Sequence, residues 1–284
     1  GKPSSATDNH PNTATIDKNI TLLPVIAGVN VYPEYIANGA LVVDDVTGCI
    51  IDYGSSEAML ANYAETNEQA PVKTHDYRDK LIMPGFIDTH VHYPQIDMIA
   101  AYGEQLLDWL NNYTFVTEAN FGDPKVAHDT AQFFLNQLLA NGTTSAMVFS
   151  TSHPQSAEAF FTESHKLNTR MITGNVLMDQ NAPAHLCVSA EQSIKDSQDI
   201  SDNWHGRGRQ HVAITPRFAI TSTTKQLQLA GELYASYDTV YLQTHLAENR
   251  DEVAFVRELY PKHKGYLDVY EDMGLLGRYT TLAH

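Results

Sequence analysis

The sequence predicts an α/β fold, a parallel sheet joined by crossover helices and preceded by a small β subdomain. Three observations predict it. From Pro84 onward, short β-rich runs alternate with helical stretches, the pattern of βαβ units rather than of hairpins. Residues 20–83 show no such alternation and carry β-rich runs separated by Gly, Asn and Asp turns. Finally, no G-x-G-x-x-G or phosphate-loop pattern follows any strand, and no internal repeat is visible, which argues against a nucleotide-binding or solenoid reading.

In chain order, residues 1–19 are rich in Ser, Thr, Asn and Pro and read as a disordered tail. Residues 20–83 read as the β subdomain, from the runs ITLLPVIAGVNVYP, GALVVDDVTGCIIDYG and DKLIMPG, with Val-Asp-Asp-Val-Thr-Gly as a hairpin turn. Residues 84–284 read as the main fold. Strands are predicted at 86–92, 144–150, 170–177, 212–218, 240–245 and 279–284, and helices at 125–140, 155–167, 189–202, 223–236 and 249–259. Asn141-Gly142 predicts a helix C-cap, and Asn249 with Glu252 predicts a capping box.

At 284 residues and 43% hydrophobic content, the chain can bury one large core or two smaller ones. Its formal net charge of −16 argues against nucleic acid or an anionic membrane as partner. Cys49 and Cys187 allow no disulfide framework and no C-x-x-C metal site, which favours a reducing, cytoplasmic setting. No apolar run approaches the roughly 18 residues of a membrane span, and no basic-then-apolar leader opens the sequence.

The stretch PGFIDTHVHYPQ places His90 and His92 two apart in an apolar run that reads as a buried strand. Side chains i and i+2 of a strand share a face, so the two imidazoles converge. With 13 histidines in the chain, that spacing alone is weak evidence for a metal site. The positions of other polar residues strengthen it. In α/β barrels the chemistry gathers at the C-terminal ends of the strands. Arg217 ends the fourth predicted strand, His245 the fifth, with Glu248 three residues on, and His284 the sixth. Each has an ordinary explanation: a hydrogen-bonded structural His, an ion-pairing Arg, a carboxylate on a helix dipole. A barrel mouth would bring all of them together.

The segments PGFIDTHVHYPQ, LLDWLNNYTF, TPRF, QTHLAENRDEV and LAH, in that order and spacing, resemble the amidohydrolase superfamily and, within it, the guanine deaminases, from about residue 20 to the end. The resemblance implies a (β/α)8 TIM-type barrel and hydrolytic deamination of guanine to xanthine and ammonia, in purine catabolism or salvage. It implies His90, His92 and His245 as ligands of one Zn2+ per chain, with iron the alternative metal. Glu248 matches the proton-shuttling Glu and His284 the His that supports the attacking water. Gln95, Arg217 and Phe218 match substrate-binding positions, and a homodimer is common in the resembled family. The family's further ligand is an Asp on an eighth strand. The sequence stops at His284 with about six of eight strands, so the expectation is a C-terminally truncated barrel, poorly soluble and inactive by itself.

Arg217 favours guanine over adenine on chemical grounds. A guanidinium only donates, guanine offers the O6 carbonyl, and adenine presents an amino donor there. The alternative is that Arg217 pairs with a barrel carboxylate. Gln95, donor and acceptor, can read a second edge of the ring. Trp109, Tyr113 and Phe115 lie in a connection too long for an ordinary βα loop, which suggests a lid whose aromatics stack on a purine, or an amphipathic helix packed on the barrel. His153 follows the second strand and is left outside the site. Rival readings are an amidohydrolase acting on another cyclic amidine or a triazine, and a non-catalytic binding fragment of the same fold.

Overall fold

The computed structural model describes residues 14–18, 35–63, 72–78, 80–102 and 105–284. The chain divides into two compact units, residues 1–85 and 86–284.

In the first unit, strands β1 (Ala14–Lys18), β2 (Gly39–Asp44), β3 (Ile50–Ser55) and β4 (Lys73–Asp76) form a sheet in the order β3-β2-β1-β4. Helix α1 (Ser56–Tyr63) follows β3 and places Met59 beside the buried Ala40, Leu41 and Val42. The hairpin forms at the expected turn. Asp44 Oδ1 accepts from the backbone N–H groups of Val46 (3.0 Å) and Thr47 (2.7 Å), and Gly48 takes φ +70°, where a side chain is disfavoured. Two expectations are corrected. Residues 14–18, read as part of a disordered tail, pair antiparallel with β2 and parallel with β4. A backbone ladder needs little apolar content, and Thr15 and Ile16 are β-branched. Among its described residues the DKLIMPG run contributes no strand, since 81–85 are irregular and Pro84 has no N–H to donate. The apolar run at 20–33 lies outside the described residues.

The second unit carries a parallel sheet with its strands on one rim. Its strands are β5 (Phe86–His92), β6 (Thr143–Phe149), β7 (Arg170–Thr173), β8 (Val176–Leu177), β9 (His211–Pro216), β10 (Tyr241–His245) and β11 (Thr280–Ala283). The order is β11-β10-β9-β7-β6-β5, with β8 also paired to β9, and every pairing is parallel. The predicted strand 170–177 is broken in two at Gly174-Asn175. There the main chain passes so close to β9 that a Cβ on Gly174 would lie 2.1 Å from the Ala213 carbonyl oxygen. The run around His90 and His92, read as buried, is an edge strand of the described sheet, with Phe86 and Ile87 54% and 58% exposed. The sheet curls nonetheless: His90 on β5 and His284 after β11, from opposite edges, bring their rings to 5.1 Å.

After β5 come a short 3-10 turn (Tyr93–Met98), α2 (Leu106–Trp109), one π turn (Leu110–Thr114) and α3 (Phe115–Glu118). The crossover helices are α4 (Pro124–Ala140), α5 (Pro154–Lys166), α6 (Ala190–Trp204), α7 (Thr224–Ala235) and α8 (Arg250–Leu259), with α9 (Tyr266–Asp272) added before β11. Their starts follow local chemistry. Asp123 accepts from Lys125 N–H (2.8 Å) with Pro124 in the first turn, Ser189 and Thr223 cap α6 and α7, and the Asn249–Glu252 capping box opens α8. Asn141 closes α4 and Gly142 follows at φ +86°.

Tyr93, Phe121, Phe134 and Phe160 interlock under α4 and α5. A larger apolar cluster fills the space between β9, β10 and helices α7 to α9. Gly231 sits in α7 in spite of its low helix propensity because a Cβ there would lie 1.9 Å from the Met273 carbonyl oxygen. Gly231→Ala is therefore expected to lower stability by about 1–3 kcal/mol, the usual overpacking range. A fall in the urea midpoint at unchanged slope checks it; an unchanged midpoint would mean that α7 and α9 have room to separate.

Candidate active site

The strand ends carry the polar residues to one cavity, of about 180 Å³, bordered by His90, His92, Gln95, Arg217, His245, Glu248 and His284, with Leu106, Trp109, Leu110 and Phe218 as apolar walls. Every residue proposed from the sequence for metal, substrate or proton transfer thus lies at the same place. One ring nitrogen from each of His90, His92 and His245 falls within 4.8 Å of the other two, and a second such group joins His245, Glu248 and His284.

The local fold explains each placement. His90 and His92 share a face of β5, with ring centroids 5.0 Å apart. His245 ends β10, and its Nδ1 lies 2.7 Å from the Arg217 carbonyl oxygen. A carbonyl can only accept, so Nδ1 carries the hydrogen and Nε2 is left with its lone pair. That lone pair faces His92 Nε2 at 3.0 Å. Glu248 follows Ala247, whose φ of +58° turns the chain between β10 and α8. A non-glycine residue there carries about 1 kcal/mol of strain, tolerated because the turn aims the carboxylate at the cavity. His284 Nε2 lies 3.7 Å from Glu248 Oε2.

Electrostatics favour neutral imidazoles. Burial pushes His90 down to about 4, with the charges of His284 and Arg217 adding to the effect and Asp88 opposing it. His92 and His245 are held well below the ordinary range, mainly by burial and then by neighbouring His245 and Arg217 respectively. Burial raises the Glu248 carboxyl and Glu252 adds to that, while His284 and Arg217 pull it down. The donor set fits a divalent metal: three converging uncharged imidazoles, one with its tautomer fixed by a second hydrogen bond, beside a carboxylate. Two nitrogens 3.0 Å apart are a close approach that a cation between or beside them relieves. Nitrogen donors suit zinc better than Mg²⁺, which prefers an all-oxygen shell.

Arg217 is 2% exposed, and its Nη1 donates to both oxygens of Glu118, each at 2.9 Å. The carboxylate partner weighed from the sequence thus exists, but it comes from α3 in the long connection and not from a barrel strand, and Arg217 borders the cavity at the same time. Glu118 itself was missed. The only available signal was a lone carboxylate in the apolar-flanked run TFVTEANF. The aromatics of the connection divide. Trp109 lines the cavity and anchors its Nε1–H on the Ala101 carbonyl (3.0 Å), Phe115 is buried against the Arg217 guanidinium (5.3 Å), and Tyr113 is 41% exposed. His153 lies outside the cavity, hydrogen-bonded to Thr151 Oγ1 (3.2 Å) at the start of α5. Cys49 and Cys187 are both free, and no helix among the described residues is long and apolar enough to cross a membrane.

The profile of the Amidohydrolase family matches residues 81–284. The chain is 46% identical over 254 residues to the guanine deaminase of Escherichia coli K12, covering 89% of this chain and 57% of that protein. Among solved structures, E. coli guanine deaminase superposes with a TM-score of 0.89 at 42% identity, covering 95% of this chain and 62% of that one. Guanine deaminase from C. acetobutylicum, solved with guanine bound in its active site, superposes at 0.82 with 29% identity, covering 95% and 62%. The chain therefore spans little more than half the length of the curated E. coli relative.

The lowered histidine pKa values have a consequence for stability. A folded-state pKa of about 4 against an ordinary 6.5 means that His90 is neutral when folded and protonated when unfolded between those values. The unfolded state then binds more protons, so stability rises with pH across that window and its contribution is lost as pH falls from 6.5 toward 4. Metal-free protein should lose stability on acidification through this range, and His90→Asn should flatten the slope. Equal slopes in the two proteins would show that His90 does not stay neutral in the fold.

Proposed function

Because the chain belongs to the Amidohydrolase family, we propose that the protein carrying it is a metal-dependent aminohydrolase that converts guanine to xanthine and ammonia. The observation that carries this reading is one cavity holding three uncharged imidazoles, a carboxylate with a raised pKa and a buried guanidinium. The guanine bound in the C. acetobutylicum relative supports the choice of substrate.

His90, His92 and His245 would hold one zinc ion, with iron the alternative. Zinc, when bound, would supply Lewis acidity that lowers the pKa of water to about 7. Glu248, whose carboxyl burial raises, takes a proton from the attacking water and passes it to ring nitrogen N3; it then carries the second proton of that water to the amine, which leaves as ammonia as the C2 carbonyl forms. His284, beside Glu248, accepts a hydrogen bond from or donates one to that water and keeps it aimed at the ring. Trp109, Leu106, Leu110 and Phe218 enclose a flat apolar ring and exclude bulk water.

Arg217 and Gln95 read the polar edges. The guanidinium donates to the O6 carbonyl. Against the amino group of adenine it would face another donor, and a buried charge left without a partner costs about 2–5 kcal/mol. Two free cysteines support a cytoplasmic location, and a homodimer is the assembly we expect.

Two outcomes test this reading. Glu248→Gln should retain metal and guanine affinity but lose about 10²–10⁴-fold in kcat, measured as ammonia release; a kcat within about threefold of wild type would reduce Glu248 to a helix-start carboxylate. The double substitution His90→Ala/His92→Ala should abolish stoichiometric zinc by elemental analysis. Zinc retained at one per chain would place the metal elsewhere.

A further inference from the structure

Glu118 is fully buried, does not border the cavity, and is paired with Arg217, which does. Arg217 Nη1 donates to both of its oxygens at 2.9 Å; burial pushes the Glu118 carboxyl up, while Arg217 and the nearby Gln95 side chain pull it down. The contact is end-on: one guanidinium nitrogen serves both carboxylate oxygens. Among the described residues, Arg217 Nη2 and Nε make no hydrogen bond, so those donors are left for a ligand. Phe115, also buried, lies against the guanidinium and limits its rotation. Three segments far apart in sequence meet here: the turn after β5 that carries Gln95, α3 with Glu118, and the end of β9 with Arg217.

We propose that Glu118 is a positioning residue that sets the ligand selectivity of the cavity, holding Arg217 in a buried ion pair so that the free guanidinium donors face a carbonyl acceptor on the ligand. The identity of that carbonyl as O6 of guanine rests on the function proposed above.

The charge balance explains why a carboxylate is needed. A guanidinium cannot shed its proton, and an uncompensated one in a site this buried seeks another anion. Glu248 borders the same cavity. With Glu118 neutral, Arg217 is drawn toward Glu248 and its donors leave the ligand-reading edge. With Glu118 ionised, the demand is met from behind, and Arg217 and Glu248 keep separate tasks. A side chain that merely filled space would need no charge and no ion pair with Arg217.

The test compares guanine with 2-aminopurine, the same ring system without the O6 carbonyl. Metal-free wild-type protein and metal-free Glu118→Gln, in which no turnover consumes the ligand, are titrated with each ligand by calorimetry. In wild type, guanine should bind more tightly. In Glu118→Gln, its Kd should rise by about tenfold or more, equivalent to about 1.4 kcal/mol, while that of 2-aminopurine changes less than about threefold. Equal losses for both ligands, or no loss for either, would overturn the proposal. If wild type binds neither purine, the guanine reading fails by itself, and a crystal structure of Glu118→Gln then decides for Glu118: a displaced guanidinium upholds its positioning role and an unmoved one overturns it. Should Glu118→Gln fail to fold, Glu118→Asp, which keeps the charge but shortens the reach, is judged by the same ratio and the same displacement.

Discussion

The main-chain carbonyl of Arg217 is the point on which the site depends. It accepts from the His245 backbone N–H at 3.1 Å, lies 2.7 Å from His245 Nδ1, and receives Thr244 Oγ1 at 3.3 Å. One acceptor thus ties the end of β9 to the end of β10, fixes the His245 tautomer and sets where the Arg217 side chain leaves the backbone. The His245 carbonyl is in turn held by Tyr270 Oη (2.7 Å), whose hydroxyl also accepts from Ala219 N–H (3.0 Å). The rim is thereby supported from the side of α9, a helix that the sequence pattern did not predict.

Around that point, charge is arranged in layers. The positive guanidinium lowers the pKa of His90, His92 and His245 and helps restrain that of Glu248. Neutral imidazoles are what a divalent cation requires of its ligands, since a protonated ring has no lone pair to give. The same guanidinium would be costly if unpaired at 2% exposure, and Glu118 meets that cost from outside the cavity. The three imidazoles, the Arg217–Glu118 pair and Glu248 are therefore electrostatically linked, although the residues concerned come from separate segments of the chain.

The legibility of these features differs by kind. The strands from β5 to β11 were visible because parallel strands covered by helices are short apolar runs bounded by turn residues, and their helices because caps such as Asn249 with Glu252 act within a few residues. The break at Gly174 was not visible, since it follows from the approach of a main chain nearly 40 residues later in sequence. Strand β1 was not visible either: its pairing with β2 and β4 is made by backbone groups, which leave little trace in composition. The helix α9 is short, and Tyr266, Val269 and Tyr270 gain their burial only from distant partners.

Taken by itself, the amino-acid sequence determined the α/β order of the second unit and the residue types at the strand ends, because side-chain period, turn chemistry and caps are local properties. It also determined that imidazoles, a carboxylate and a guanidinium would lie on the same rim if the strands ran parallel. Only the tertiary structure decided which nitrogen of His245 is free, that Arg217 shares its charge with Glu118 across 99 positions of sequence, and that Phe115 and Trp109 take different roles within one connection. Those outcomes depend on distances of a few ångströms between segments remote in the chain, and a hydrogen bond is made or lost within that range.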